Sequence, residues 1–416
     1  MGSPHTLRKG SPAAEINHLQ KQQIYENSLF ISYSVCLKQE VKGKLKNKYN
    51  ELKERDLLPR IAAVETVNPP HKLSQKETME FARNLFQDAF SDIERLLKVF
   101  QNGEISSRYF VMPIEWFKEK RSFQEKNDLY IDFATNLGAE CIQKCMGPAD
   151  RPIISYENID AIFFISSSGL STPSIEARIM NMLPFSSHTK RIPIWGLGCA
   201  GGASGFSRAF DYCKAYPKSN VLVLSVELCS LTFQHEDFSK SNLVGTSLFA
   251  DGVACALICG DESDAGESTG LKPYILDTMS TLKPNSEDVM GWEVKDTGLY
   301  VVFSRDIPNV IRTWLKPNVD EFLNRNHLTG EQIKNFIAHP GGKKVLQAYV
   351  DALGLPLSKT DISRDVLMSN GNMSSATVFY VLKQFMEIKQ NEGDLGIMAA
   401  LGPGFSSELL LVEWRK

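Results

Sequence analysis

Short apolar runs, small-residue turns and amphipathic stretches alternate along most of this chain. Ala161-Ile162-Phe163-Phe164-Ile165-Ser166 and Val221-Leu222-Val223-Leu224-Ser225-Val226 are continuous apolar runs, the pattern of buried strands. Residues 59–67 predict the first strand of the folded body. After Pro69-Pro70, a helix is expected over 74–90, with Ser74 as N-cap and Glu77 completing a capping box. Residues 125–145 predict a long helix, and another helix starts at Ser174. The apolar segment 192–198 reads as a strand that runs up to Cys199. The small-residue run Ala200-Gly201-Gly202-Ala203-Ser204-Gly205 then leads into a helix through Phe206 and Phe210. Residues 247–258 contain the bend Ala250-Asp251-Gly252 and a further strand.

An acidic polar linker, Asp261 to Ser268, separates this part from a second one with the same grammar. There a helix is expected over 307–324, a strand at Phe336, helices from Gly342 and Ser374, and strands at Leu395 and Leu409. The shared logic of buried strand, small-residue turn and helix suggests a pseudo-duplicated α/β core. Its halves are 59–261 and 272–416. Residues 1–58 differ: a polar, tag-like start is followed by a Lys-rich stretch over 40–56, which reads as a solvated arm or an exposed helix.

Composition narrows the function. With 416 residues, the chain is long enough for two or three packed units at about 150 residues each. A net charge of −3 gives no basic field for nucleic acid. No apolar run approaches the ~20 residues that span a bilayer, and no signal peptide is read. Eight cysteines in 416 residues are not a disulfide framework. Cys141 with Cys145 and Cys255 with Cys259 lack the second half of a metal site and read as core packing. A reduced, cytoplasmic setting is expected.

The candidate chemistry centres on Cys199. A strand, a glycine turn and a helix start place its sulfur at a helix N-terminus, where the dipole and free N–H groups favour thiolate. Two later segments supply partners, His339-Pro340-Gly341-Gly342 and Gly371-Asn372-Met373-Ser374-Ser375-Ala376. Cys199 alone reads equally as a small buried hydrophobe. His339 alone reads as a core histidine at a strand end, and Asn372 as a helix cap. Together they sit at strand-to-loop and loop-to-helix junctions, where layered α/β folds collect functional groups. A cysteine nucleophile with a histidine and an asparagine is the equipment of acyl transfer.

Seven ordered blocks carry a family resemblance. They are Gly198-Cys199-Ala200-Gly201-Gly202, Ser225-Val226-Glu227, Leu243-Val244-Gly245, Leu248-Phe249-Ala250-Asp251-Gly252, Ile337 to Gly342, Gly371 to Ala376, and Gly402-Pro403-Gly404. From about Pro59 to the C-terminus the chain resembles type III polyketide synthases. These are the chalcone and stilbene synthase-like enzymes of the thiolase superfamily, and the bacterial alkylpyrone synthases are the nearest in flavour. The resemblance implies a thiolase-like αβαβα layered fold and a homodimer. It implies acyl-CoA and malonyl-CoA as substrates, with no metal, flavin or nicotinamide cofactor. Cys199 would be the acyl-accepting nucleophile, and His339 would hold its thiolate as an ion pair. His339 and Asn372 would donate hydrogen bonds to the malonyl thioester carbonyl.

The resemblance also implies that Phe249 is an aromatic gatekeeper. Thr232, Thr172, Ser374 and the loop Gly402-Pro403-Gly404 would line the cavity, with Thr172 near the partner subunit. Only the second half of the family's Gly-Phe-Gly-Pro-Gly loop is kept, because Ala400-Leu401 precedes Gly402. Trp292 falls near a position where plant enzymes have a small residue, so plant product specificity does not transfer. The basic residues for CoA phosphates are poorly matched, which leaves Lys343, Lys344 and Arg108 as candidates. The expected activity is loading of a fatty acyl starter and two or three extensions to an alkyl α-pyrone. A single-condensation ketoacyl synthase III-like enzyme is the nearest rival. A biosynthetic thiolase would need a second cysteine near the C-terminus, and the last one is Cys259. A cysteine hydrolase would not need the Gly371-Asn372-Met373 block, and a dead scaffold would not need Cys199.

Overall fold

The computed structural model describes residues 58–266 and 270–416, which form one compact unit. Apart from Leu58, the expected N-terminal extension lies outside the described residues. Nine strands build the main sheet: β1 (Arg60–Val67), β4 (Ala161–Ile165), β5 (Lys190–Ile194), β6 (Asn220–Leu228), β7 (Asp251–Cys259), β8 (Lys272–Leu282), β11 (Ile333–Ala338), β12 (Leu395–Gly402) and β13 (Ser406–Arg415). Two hairpins stand apart from it, β2 (His71–Ser74) with β3 (Ser107–Phe110), and β9 (Met290–Lys295) with β10 (Gly298–Phe303). No helix among the described residues is long and apolar enough to cross a membrane.

The strand order is β11-β12-β13-β8-β1-β7-β6-β4-β5. It contains its own duplication. In the first half β4 is parallel to β6, β6 antiparallel to β7, and β7 antiparallel to β1. In the second half β11, β12, β13 and β8 repeat those directions one for one. The halves join where β1 meets β8, at Arg60 and Tyr274.

Helices complete five layers. The longer ones are α1 (Gln75–Phe86), α2 (Phe123–Met146), α3 (Gly201–Ala215), α4 (Lys240–Leu248), α5 (Ile307–Arg325), α6 (Lys343–Leu353), α7 (Asp361–Asn370) and α8 (Thr377–Glu387). Helices α3 and α8 form the middle layer, touching strands of both halves and each other, with Phe206 and Phe379 rings 4.6 Å apart. Helix α2 covers the outer face of the first half, and α5 and α6 that of the second. The strands facing the middle layer and an outer helix are buried on both sides, which is why β6 and β7 have no exposed residue. This is the thiolase-like αβαβα arrangement.

Local signals worked where they were chemical. Ser74 and Glu77 close the expected capping box on α1, with Ser74 N donating to Glu77 Oε2 at 2.7 Å. The helix ends at Phe86, four residues early, as Gln87 leaves it and the chain turns. Strand β5 also ends early, at Ile194. Gly196 (φ 89°) and Gly198 (φ 46°) break the extended run before Cys199.

Candidate active site

The duplication places two helix starts side by side. Each middle-layer helix is preceded by a three-residue 3-10 turn, Gly198–Ala200 before α3 and Ser374–Ala376 before α8, and the two turns touch. Cys199 and Ser375 therefore hold equivalent positions in the two halves. The approach is tight: a Cβ on Gly202 would lie 2.2 Å from the Ser375 carbonyl oxygen. The small-residue run after Cys199 is thus needed for two backbones to meet. On the other side, Gly402 lies against the same turn, where a Cβ would come within 2.5 Å of Leu197 O.

Cys199, His339 and Asn372 are buried, at 7%, 2% and 2% exposure. Asn372 follows α7 and is fixed by its neighbours. Its Oδ1 accepts from Ser374 N at 2.8 Å, and its Nδ2 donates to Gly341 O at 3.1 Å. That leaves one amide proton free, and the amide lies near the Cys199 thiol. Gly341 is tied to His339 through N–H to His339 O at 3.1 Å, and His339 Nε2 lies 3.7 Å from where a Gly341 Cβ would be. The three groups named from the sequence thus converge across the junction of the halves.

Their electrostatics differ from the simple helix-dipole expectation. Burial pushes the Cys199 thiol up to about 12, a nearby charge on Glu227 adds to this, and hydrogen bonds from Ser374 and Asn372 pull it down. Burial pushes His339 down to about 3. Burial thus favours the uncharged form of each group. Neither His339 ring nitrogen has a hydrogen-bond partner, although both are buried. An uncharged imidazole with free nitrogens can take a proton from a thiol that attacks, and can donate to an oxyanion that forms beside it.

A pocket opens beside Phe249. Phe81, Phe110, Ile114, Phe117, Phe233 and Trp292 give it an apolar lining, and Thr232 and Cys229 add polar groups to it. Phe249 lines this pocket, Cys199, His339 and Asn372 do not, and Phe249 connects the two. Its backbone bridges to Asn372, and its ring packs 5.7 Å from Trp292 and 5.6 Å from Phe303.

The comparisons agree with this geometry. Residues 46–262 match the model for "Chalcone and stilbene synthases, N-terminal domain", and residues 275–414 match that for the C-terminal domain. The chain belongs to the chalcone and stilbene synthase family. A putative chalcone synthase of Bacillus subtilis (strain 168) is 53% identical over 360 residues, covering 86% of this chain and 99% of that protein. A 1,3,6,8-tetrahydroxynaphthalene synthase of Streptomyces peucetius subsp. caesius is 35% identical, covering 85% and 93%. The crystal structure of the Streptomyces coelicolor A3(2) tetrahydroxynaphthalene synthase, a bacterial type III polyketide synthase, superposes with a TM-score of 0.80 at 30% identity, over 86% and 99% of the two chains. The protein is accordingly a type III polyketide synthase, an enzyme that condenses CoA thioesters.

The synthase distributes its other expected site residues unevenly. Thr232 and Phe249 line the pocket. Ser374 is buried beside Cys199 with a left-handed backbone, φ 48°. Pro403 packs on the Cys199 turn with Gly402, and Gly404 lies just beyond. Thr172 is exposed in the loop before the short helix Ile175–Met180 and does not line the pocket. Lys344 is exposed, and Lys343 is paired with Glu104 at 2.6 Å.

Arg108 does not fit the phosphate-binding expectation. It is fully buried, and its guanidinium donates to the carbonyls of Thr246 (2.8 Å), Ser247 (2.6 Å) and Phe249 (2.9 Å), and to Gln75 Oε1. These are the orphaned carbonyls at the C-terminus of α4 and just after it, which favour a cation. The next pairings hold the site: Asn372 N donates to Leu248 O, and Ala250 N to Asn372 O, both at 2.9 Å. Arg108 therefore braces the segment that carries Phe249 and aligns Asn372.

Sequence reasoning gave Glu227 no role beyond a family block. It is fully buried behind the two turns and accepts from Ser167 N (3.0 Å), Ser167 Oγ (3.1 Å) and Ser375 Oγ (2.6 Å). Ser375 Oγ spends its only proton on Glu227, so it accepts from Ser225 Oγ at 2.8 Å. A lone carboxylate inside the apolar run 221–228 was the available signal.

Proposed function

We propose that this synthase loads a fatty acyl group from CoA onto Cys199, extends it two or three times with malonyl-CoA, and releases an alkyl α-pyrone. The observation that carries the starter assignment is the apolar pocket beside Phe249, whose aromatic lining suits an alkyl chain and offers little to a charged or sugar-bearing group.

The catalytic roles follow from the resting charges. Cys199 passes its proton to neutral His339 as the sulfur attacks the acyl-CoA carbonyl. The C–S bond to CoA breaks, and the departing CoA sulfur takes that proton, leaving acyl-Cys199 and neutral His339. Malonyl-CoA then loses CO2, and the electron pair of the broken C–C bond becomes an enolate. Neutral His339 and the free amide proton of Asn372 donate to its oxygen. One such donor is worth ~3 kcal/mol. The enolate carbon attacks the acyl thioester, a C–C bond forms, and Cys199 leaves as thiolate. That thiolate takes the β-ketoacyl group back from CoA for the next round. In ring closure an enol oxygen attacks the thioester carbonyl, a C–O bond forms, the C–S bond breaks, and the departing sulfur takes the enol proton. No step needs a metal, flavin or nicotinamide.

We further propose a homodimer built on the free edge of β5, the outermost strand of the first half. Trp195 just beyond it is 48% exposed, and Leu170 and Met182 are also exposed. Sedimentation of Trp195→Glu tests this; a dimeric variant contradicts it.

The starter reading is tested by supplying purified protein with dodecanoyl-CoA and labelled malonyl-CoA. Alkylpyrones carrying two or three labelled units support it. An aromatic product formed from malonyl-CoA alone contradicts it.

A further inference from the structure

We infer that Lys126 and Gln234 set the width of the acyl pocket by clamping the tip of the β9–β10 hairpin, and so select starter length. The inference rests on the fatty acyl reading of the pocket.

The hairpin stands outside the main sheet, and two strands alone are marginal in water. Its cross-strand pair Trp292 and Val301 faces the pocket, and Phe303 stacks on Phe249. Its other side carries Glu293 and Lys295, both exposed. Something must fix this wall.

The fixing groups are two buried side chains, each 5% exposed. Lys126 Nζ donates to Thr297 O (3.3 Å) at the hairpin tip, and to Phe233 O (3.2 Å) and Gln234 Oε1 (3.1 Å). Gln234 Nε2 donates to Leu299 O on β10 and to Thr232 O, both at 3.0 Å. The clamp thus runs directly from the tip to Thr232, which lines the pocket. Gly298 sits between the two, at φ 131°; a Cβ there would be 2.8 Å from Gln234 Nε2 and 3.4 Å from Lys126 Nζ. Two small clefts flank the clamp, both lined by Lys126 and Gln234, so these side chains reach the tip from within the fold.

Lys126 is an expensive choice for a merely structural role. It lies in the first turn of α2, where the helix dipole opposes a cation, and none of its bonded acceptors is a carboxylate. Its three protons meet three acceptors from two segments, 233–234 and the hairpin tip, which a shorter or neutral side chain cannot do.

The test compares kcat/KM for dodecanoyl-CoA and hexanoyl-CoA in wild type, Lys126→Met and Lys126→Arg. Hydrogen exchange of the amides of residues 290–303 is measured in parallel. Lys126→Met is expected to move the ratio of the two substrates at least tenfold towards unity and to speed exchange in the hairpin. Lys126→Arg is expected to restore most of both. Gly298→Ala, which pushes on the clamp from the tip, gives the same reading if Lys126→Met does not fold. An unchanged ratio in a folded variant overturns the inference. A wild type that extends neither substrate fails the starter reading itself.

Discussion

Replacing Arg108 separates a brace from a phosphate contact. In Arg108→Met, the carbonyls of Thr246, Ser247 and Phe249 lose a buried donor. Ser247 O keeps a donor in Gln75 Nε2, and each of the other two unsatisfied buried acceptors costs ~1–3 kcal/mol, so the loss is roughly 2–6 kcal/mol before the relief of no longer burying a cation is counted. That relief is real, since burial already lowers the guanidinium to about 9. Arg108→Lys keeps the charge without the planar fork and should fall between wild type and Met. The catalytic consequence arises because Asn372 pairs with Leu248 and Ala250 in the braced segment. A displacement of ~1 Å at such a donor costs ~100-fold. Malonyl-CoA decarboxylation is therefore expected to fall ~100-fold in kcat by the same principle. Acylation of Cys199, read by intact mass after a short pulse of acyl-CoA, should fall far less. The contrary result is a raised KM for both CoA substrates, with kcat unchanged and the effect lost at high salt. That would return Arg108 to the phosphates.

Three further predictions follow from the same geometry. Gly402→Ala puts a methyl group 2.5 Å from Leu197 O and 2.6 Å from the Ala200 Cβ; it should lower the Tm and the Cys199 alkylation rate together, and an unchanged rate would show that the turn yields freely. Because burial holds His339 at about 3 against about 6.5 unfolded, only the unfolded state takes up this proton as pH falls from 6.5 to 3. Stability should thus drop by up to ~1.4 kcal/mol per pH unit across that window, and His339→Gln should flatten this limb in urea titrations at each pH; equal slopes would contradict a buried neutral imidazole. Trp292→Ala widens the pocket and should raise kcat/KM for branched or longer starters at least several-fold in a competition assay; no shift would remove Trp292 from the chain-length wall.

Much of the fold was legible because it is written in local chemistry. The capping box at Ser74, the buried run of β6 and the glycines after Cys199 each have one cheap solution. The small-residue turns at Cys199 and Asn372 also announced themselves, since only a close backbone approach needs so many. What the sequence hid was non-local. The hairpins β2–β3 and β9–β10 have short, half-exposed strands whose partners are fixed by tertiary contacts. Arg108 looked like a surface cation because its neighbours Ser106 and Ser107 are polar, while its partners lie about 140 residues away. Lys126 was hidden for the same reason, as one cation in the charged, solvent-facing start of a helix. Only part of what acts on the Cys199 thiol was visible, because helix position can be read in sequence and desolvation cannot.

Iterative condensation on Cys199 from a fatty acyl starter can be read from its products. Mass spectrometry with dodecanoyl-CoA and labelled malonyl-CoA, beside Cys199→Ala, should show alkylpyrones with two or three labelled units, all absent in the variant. A single labelled unit, free fatty acid with no label, or products that survive in Cys199→Ala would contradict it.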